Sequence, residues 1–328
     1  MKNRNLDTIL AFGLNNKALI LLVIIFILSV IVTDGRTIIP FNFLSLMRQL
    51  SVHAVIAVGF TVLLSSGGID LSIGEIISLS GVVYAFASLV FPLPVAIMFG
   101  VLVGLGCGLI NGFVTRYFNL PGFVLTLGTA LIYQGVIFIL TGGRAVGQLS
   151  DAAKWFGQGR VAGIPVPFII AILVTVTIYI LVNKTLYGRH LLATGGNPNA
   201  AMVSGIKIDV VRVAAYAIAG LSAGIGGMML TGRVGSAGAM AGDGILMDCI
   251  AAVVIGGTPM SGGKAKVVGT LFGVSLIVVI NNMLNLMGIS SYYQWVARGS
   301  IIVIAIIVDS YSEKFMQSQR TKAAAKQE

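Results

Sequence analysis

KTLYGRHLLATGGNPNAAMVSGIKIDVVR, residues 184–212, separates two long apolar stretches and decides how the whole chain is read. It carries four Lys or Arg residues and a Gly195-Gly196-Asn197-Pro198 turn. Charged groups and irregular backbone go unsatisfied in hydrocarbon, so this segment must face water or a partner protein. It reads as a cytoplasmic docking loop between two membrane-embedded halves. Within it, Asn197-Pro198-Asn199 suits the cap of a short helix from Ala200, which would present Met202 and Val203 beside Gly205. A small helix with an apolar face is shaped for a groove on a partner; a plain solvated connector is the alternative.

The sequence on either side supports the membrane reading. Of 328 residues, 57% are hydrophobic and only 10% charged, against roughly 25% charged in soluble domains. Mean hydropathy is +0.99. The 42 glycines fit close helix packing in lipid. A net charge of +10 would suggest nucleic acid in a soluble protein. No aromatic–basic interleaving accompanies it, and cytoplasmic Lys and Arg account for the excess.

A membrane helix needs about 20 apolar residues. Candidate spans run over 18–33, 50–66, 72–90, 94–115, 121–141, 164–183, 213–231, 244–259, 267–287 and 293–309. The expected fold class is therefore all-α: a polytopic bundle of about ten transmembrane helices. The 244–259 run is short and suggests a tilted or partly re-entrant helix. Pro121, Pro165 and Pro167 stand near span starts, where a missing amide costs least. No small-residue cleavage site follows the first span, which reads as uncleaved. Residues 1–17 are then a cytoplasmic segment, 18–309 the transmembrane domain with its central loop at 184–212, and 310–328 a cytoplasmic tail.

With the N-terminus inside and ten spans, fourteen of the 21 Lys and Arg residues fall on the cytoplasmic side, which supports both termini inside. Five spans precede the central loop and five follow, so matching segments would run in opposite directions. Leu109-Ile110-Asn111-Gly112 and Val279-Ile280-Asn281-Asn282 are weakly alike and suggest an inverted repeat of the kind common in transporters.

Gly100, Gly104, Gly108 and Gly112 line one helix face, as do the pairs Gly220/Gly224 and Gly269/Gly273, and read as close helix–helix contacts. GTPMSGGKA, residues 257–265, resembles a phosphate-binding loop only superficially. Thr258 stands where the motif needs its first glycine, and Ala265 where it needs a hydroxyl. It reads as a cytoplasmic turn, and no ATPase site is expected in this chain. Cys107 and Cys249 lie inside apolar runs as packing residues, and His53 and His190 lack metal-ligand or nucleophile–base spacing. No catalytic residue, cofactor or metal site is expected in this chain.

Polar groups inside spans are costly to bury and carry the most information. In Gly67-Gly68-Ile69-Asp70-Leu71-Ser72 two glycines can interrupt a helix, and Asp70 or Ser72 can cap the next one. This is either an interfacial cap or a broken helix lining a polar pathway. Asn111, Gln134, Asn281, Asn282 and Asn285 offer donors and acceptors without net charge, for sugar hydroxyls or for neighbouring helices. Tyr133 adds an aromatic ring with a polar end. Asp70, Asn111, Tyr133, Gln134, Asn281 and Asn282 are the candidate pathway residues. Arg298 is a candidate partner for Asp248.

At these stretches the chain resembles the permease subunits of ribose-type ATP-binding-cassette sugar importers, the second carbohydrate-uptake family. The resemblance rests on GGIDLSIG (67–74), GLINGFVTRYFNLPGFVLTLGTALIYQG (108–135), GRHLLATGGNPNAAMVSGI (188–206), DCIAAVVIGGTPMSGGKAKVVGT (248–270) and NNMLNLMGISSYYQ (281–294). It implies that two permeases, identical or related, form a pathway in a bacterial inner membrane. A cytoplasmic ATPase holding ATP and Mg would dock below, and an extracytoplasmic binding protein would deliver a monosaccharide above. It further implies that the ATPase contacts the Gly195–Gly205 region: Gly195, Gly196, Asn197, Ala200, Met202, Val203 and Gly205. An ion-coupled carrier using Asp70, Glu75 or Asp248, an importer of branched-chain amino acids, and a passive channel are the competing readings.

Overall fold

Backbone amides in lipid must bond within their own segment, so apolar runs of this length fold as helices. The computed structural model describes residues 17–297 together with 299, 300, 303, 304 and 307. In chain order the helices are α1 (Lys17–Val32), α2 (Pro40–Ser65), α3 (Ile73–Val90), α4 (Leu93–Tyr117), α5 (Gly122–Thr141) and α6 (Asp151–Gln158). A two-stranded hairpin, β1 (Arg160–Val161) and β2 (Ile164–Pro165), leads into α7 (Val166–Lys184), α8 (Leu186–Gly196) and α9 (Pro198–Val203). The chain continues through α10 (Ile208–Val234), α11 (Ile245–Ile255) and α12 (Val267–Leu286), and residues 291–297 are again helical. Pro121 and Pro165 are N-caps of α5 and α7, and Pro167 lies in the first turn of α7, where no intrahelical donor is lost.

Seven of these helices, α2, α3, α4, α5, α7, α10 and α12, are long and apolar enough to cross a membrane. The chain is an all-α multi-pass membrane protein. The stretch expected at 50–66 starts ten residues earlier, at Pro40. Asn42 and Arg48 interrupt the apolar pattern there, and both bond within the protein, Asn42 to Thr37 O and Asn282 and Arg48 to Gln158 O. The expected segment 1–17, save the helical backbone of Lys17, falls outside the described residues, as do Arg298, Asp309, the tail 310–328 and much of the 293–309 span.

Helix α10 is the axis of the bundle and packs against α4, α2 and α3. The glycine row of α4 makes this possible. Gly104 faces Gly220 and Gly224, Gly108 faces Tyr216 and Ala217, and Gly112 faces Val213 and Tyr216, so backbone touches backbone. Gly269 and Gly273 of α12 meet Gly256 and Ala252 at α11 in the same way. Both free cysteines are buried in the packing.

At eleven residues, α11 is about 16 Å long, half the hydrocarbon thickness. The loop before it turns back into the bundle: Gly242 donates its amide to Ser78 Oγ at 2.9 Å and packs on the Gly74 backbone. Helix α11 therefore starts inside the bundle. At one end of the molecule the 66–72 break, the α8–α9 segment and the turn after α11 come together. At the other, α6 and the Val146–Ala237 bridge close over α2 and α10.

Candidate pathway and docking site

The break between α2 and α3 begins at Gly67, whose φ of 77° suits glycine. Its exposed backbone groups find partners on other helices: Tyr216 OH donates to Ile69 O at 3.0 Å, and Leu71 N donates to Thr126 Oγ1 at 2.9 Å. Asp70 is fully buried. Its Oδ1 accepts from Ser72 N at 2.8 Å and Ser72 Oγ at 2.7 Å. Ser72 occupies the N-cap of α3 without a side-chain cap bond, so the carboxylate two residues earlier holds that amide instead.

Asn111 of α4 completes the cluster, donating to Asp70 Oδ2 at 2.9 Å and to Ser72 Oγ at 2.8 Å. Tyr133 of α5 donates its hydroxyl to Asn111 Oδ1 at 3.0 Å. Three candidate pathway residues, Asp70, Asn111 and Tyr133, thus form one buried network that ties the start of α3 to α4 and α5. Gln134 is half-buried and lies outside it.

A second cluster sits in the other half. Asn281 of α12 donates to Asp248 Oδ2 at 3.2 Å, and His53 Nε2 lies 3.7 Å from the same oxygen. Asn282 exchanges amide hydrogen bonds with Asn42 of α2, at 3.0 and 3.1 Å. Asn285 accepts from Gln294 Nε2 at 2.9 Å. The sequence reading did not foresee Asn42 or Ser72 as partners; a polar side chain within a helix that otherwise reads as apolar is the available signal.

The candidate docking segment is two capped helices. Thr185 accepts from Gly188 N at 3.3 Å to start α8, and Asn197 accepts from Ala200 N at 3.0 Å to start α9. Gly205, with φ of 81°, turns the chain away. Ala200 is exposed, Met202 is 60% exposed and Val203 89% exposed, while Ala201 is buried. Gly195 has no room for a side chain, because it abuts Ser65 O and Gly263 N. Gly263 N also donates to Ser65 O at 3.0 Å, Ser65 Oγ donates to Lys264 O at 2.9 Å, and Gly262 sits against Gly67. The 257–265 stretch is a turn, closed by Lys266 N donating to Thr258 Oγ1 at 3.0 Å. Asp209 pairs with Arg116 beside this face. Among the described residues no group of three or more His, Cys, Asp or Glu side chains is placed to hold a metal ion.

A family profile described as "Branched-chain amino acid transport system / permease component" matches residues 42–306. The chain belongs to this permease family. The permease is 40% identical over 291 residues to the ribose import permease protein of Bacillus subtilis, covering 87% of this chain and 90% of the relative. It is 36% identical over 297 residues to the D-allose transport system permease protein of Escherichia coli (88% and 91% covered). Against the galactose/methyl galactoside import permease protein of Haemophilus influenzae it is 35% identical over 327 residues (93% and 97% covered). No solved structure gives a significant match to the permease.

Proposed function

We propose that this permease is the membrane-spanning subunit of an ATP-binding-cassette importer that carries a monosaccharide. Full-length similarity to ribose, allose and galactose import permeases is the observation that carries this reading. It is not an enzyme: ATP and Mg belong to a partner ATPase. An extracytoplasmic binding protein delivers the sugar, and two permeases, identical or related, enclose the pathway in a bacterial inner membrane.

The α8–α9 segment is the ATPase contact, with Asn197, Ala200, Met202, Val203 and Gly205 on or beside the short helix. Gly195 is its mechanical link inward, and Gly196 follows it at the end of α8. Contact of Gly195 with Ser65, and of Gly262 with Gly67, supports a direct route from that segment to the break before Asp70. A rigid-body push on α9 reaches the α2–α3 junction through backbone contacts, with no compliant side chain between. The permease contributes a two-state packing, and the partner supplies the energy that shifts it.

The chain makes ten passes with both termini cytoplasmic, in two halves of five related by an inverted repeat. Two like pairs support that repeat. Asn111 and Asn281 occupy the same place in the two weakly similar stretches. Each binds a buried aspartate, Asp70 or Asp248, at the start of a helix that follows an interruption. Asp70, Asn111, Tyr133, Gln134, Asn281 and Asn282 frame the pathway on its two sides.

Uptake of labelled D-ribose, D-allose and D-galactose into vesicles tests this function. Vesicles with permease, ATPase and binding protein accumulate sugar with internal energy from ATP, and vesicles with permease alone accumulate none. Concentrative uptake by the permease alone overturns the reading in favour of an ion-coupled carrier.

A further inference from the structure

A cavity of about 730 Å3 opens between the start of α3, α5 and the start of α11, with Trp295, Gly299 and Val303 at its rim. Two carboxylates, Glu75 and Asp243, line it. Glu75 lines the cavity through part of its side chain, while its Oε2 is enclosed by protein. The remaining wall is apolar on one side (Leu127, Leu246 and Met247) and glycine backbone on the other, with the exposed indole of Trp295 at the mouth. The cavity adjoins the Asp70 network, because Leu71 lines it and its amide is held by Thr126 of α5.

Paired acceptors opposite an apolar wall match a ligand that has hydroxyl donors on one edge and C–H groups on its faces. A bare cation would find two carboxylates but no third acidic, His or Cys ligand among the described residues, and a wall of leucine and methionine. We propose that this cavity is a subsite for the sugar in passage, in which Glu75 and Asp243 accept hydrogen bonds from its ring hydroxyls while Leu127, Met247 and Trp295 cover its carbon face. The proposal rests on the transporter reading above and names the residues that meet the substrate.

The test uses the full complex of permease, ATPase and binding protein in vesicles, with D-ribose, D-allose and 2-deoxy-D-ribose as probes. Loss of one charge-assisted hydrogen bond lowers D-ribose uptake in Glu75→Gln and in Asp243→Asn by about tenfold or more. The preference for D-ribose over its 2-deoxy analogue changes as well, which a merely structural defect leaves alone. In a second measurement Leu127→Cys is alkylated by a maleimide, and D-ribose slows the reaction. Variants that move all three sugars at wild-type rates and ratios, or no protection of the cysteine, overturn the subsite while leaving the transporter reading in place. Wild-type uptake that follows sodium, with the dependence lost in Glu75→Gln, assigns the cavity to a cation and overturns the proposal. A wild-type complex that moves no sugar removes both readings.

Discussion

Gly195 lies against the carbonyl of Ser65 so closely that no side chain fits between them. Ser65 is the last residue of α2, and Gly195 is near the end of α8, so the proposed docking segment and the broken-helix region share one backbone contact. Its neighbour Gly196 is freer: an added methyl would meet Gly263 at an ordinary 3.7 Å. Gly195→Ala is therefore expected to cost about 1–3 kcal/mol through overpacking and to reduce ATP-driven uptake, while Gly196→Ala stays near wild type. Thermal unfolding in detergent and vesicle uptake check this; equal effects of the two variants would sink the mechanical link.

The Asp70 network gives a graded prediction. Asn111→Leu strips a donor from Asp70 Oδ2 and from Ser72 Oγ and one of the two acceptors of the Tyr133 hydroxyl, all in a buried site. Unpartnered buried groups cost about 1–3 kcal/mol each, more when charged, so the variant should unfold well before wild type. Tyr133→Phe removes the hydroxyl's bonds to Asn111 Oδ1 and Cys107 O and leaves Asn111 able to hold Asp70, for a loss of about 1 kcal/mol. Melting curves that place the two variants in the reverse order would contradict the network as drawn.

These two cases show where sequence was informative. The cap at Asn197, the interruption at Gly67-Gly68 and the glycine face of α4 are local, written in residues a few positions apart, and all three appear in the structure. That Asn111 finds Asp70, or Asn42 finds Asn282, depends on how helices cross, and no local pattern encodes it. The resemblance groups Gly195 and Gly196 with Met202 and Val203 in one segment. The fold distinguishes them: Gly195 is packed against Ser65 and Gly263, whereas Gly196, Met202 and Val203 are exposed. The α2 start at Pro40 was hidden for the opposite reason: Arg48 sits in a helix because its guanidinium bonds to Gln158 O at 2.7 Å, a partner 110 positions away.

Two glycines of α4 separate helix packing from helix propensity. Gly104 presses on Gly220 and Gly224 of α10, whereas an added methyl at Gly106 meets nothing. Gly104→Ala should push the α4–α10 crossing apart at a cost of about 1–3 kcal/mol. Gly106→Ala should be neutral or stabilise by up to about 1 kcal/mol, since alanine loses less backbone freedom in a helix. Unfolding midpoints of the purified permease decide between them, and a destabilised Gly106→Ala would mean that the outer face of α4 meets something beyond this chain.

Val203 offers the cleanest separation of folding from coupling. At 89% exposure its side chain touches almost nothing in the permease, so Val203→Asp should leave the unfolding midpoint within about 0.5 kcal/mol of wild type. If α9 enters an apolar groove of the ATPase, the same change buries a charge without a partner and should weaken assembly by several kcal/mol. Ala200→Glu, one turn away on the exposed side of α9, should act likewise, again without loss of permease stability. The two quantities are measured on one preparation: the melting midpoint of the isolated permease, and co-purification of the ATPase with its sugar-stimulated turnover. A Val203→Asp permease that binds the ATPase and couples normally would remove α9 from the interface, and the inward contact of Gly195 would then need another source of force.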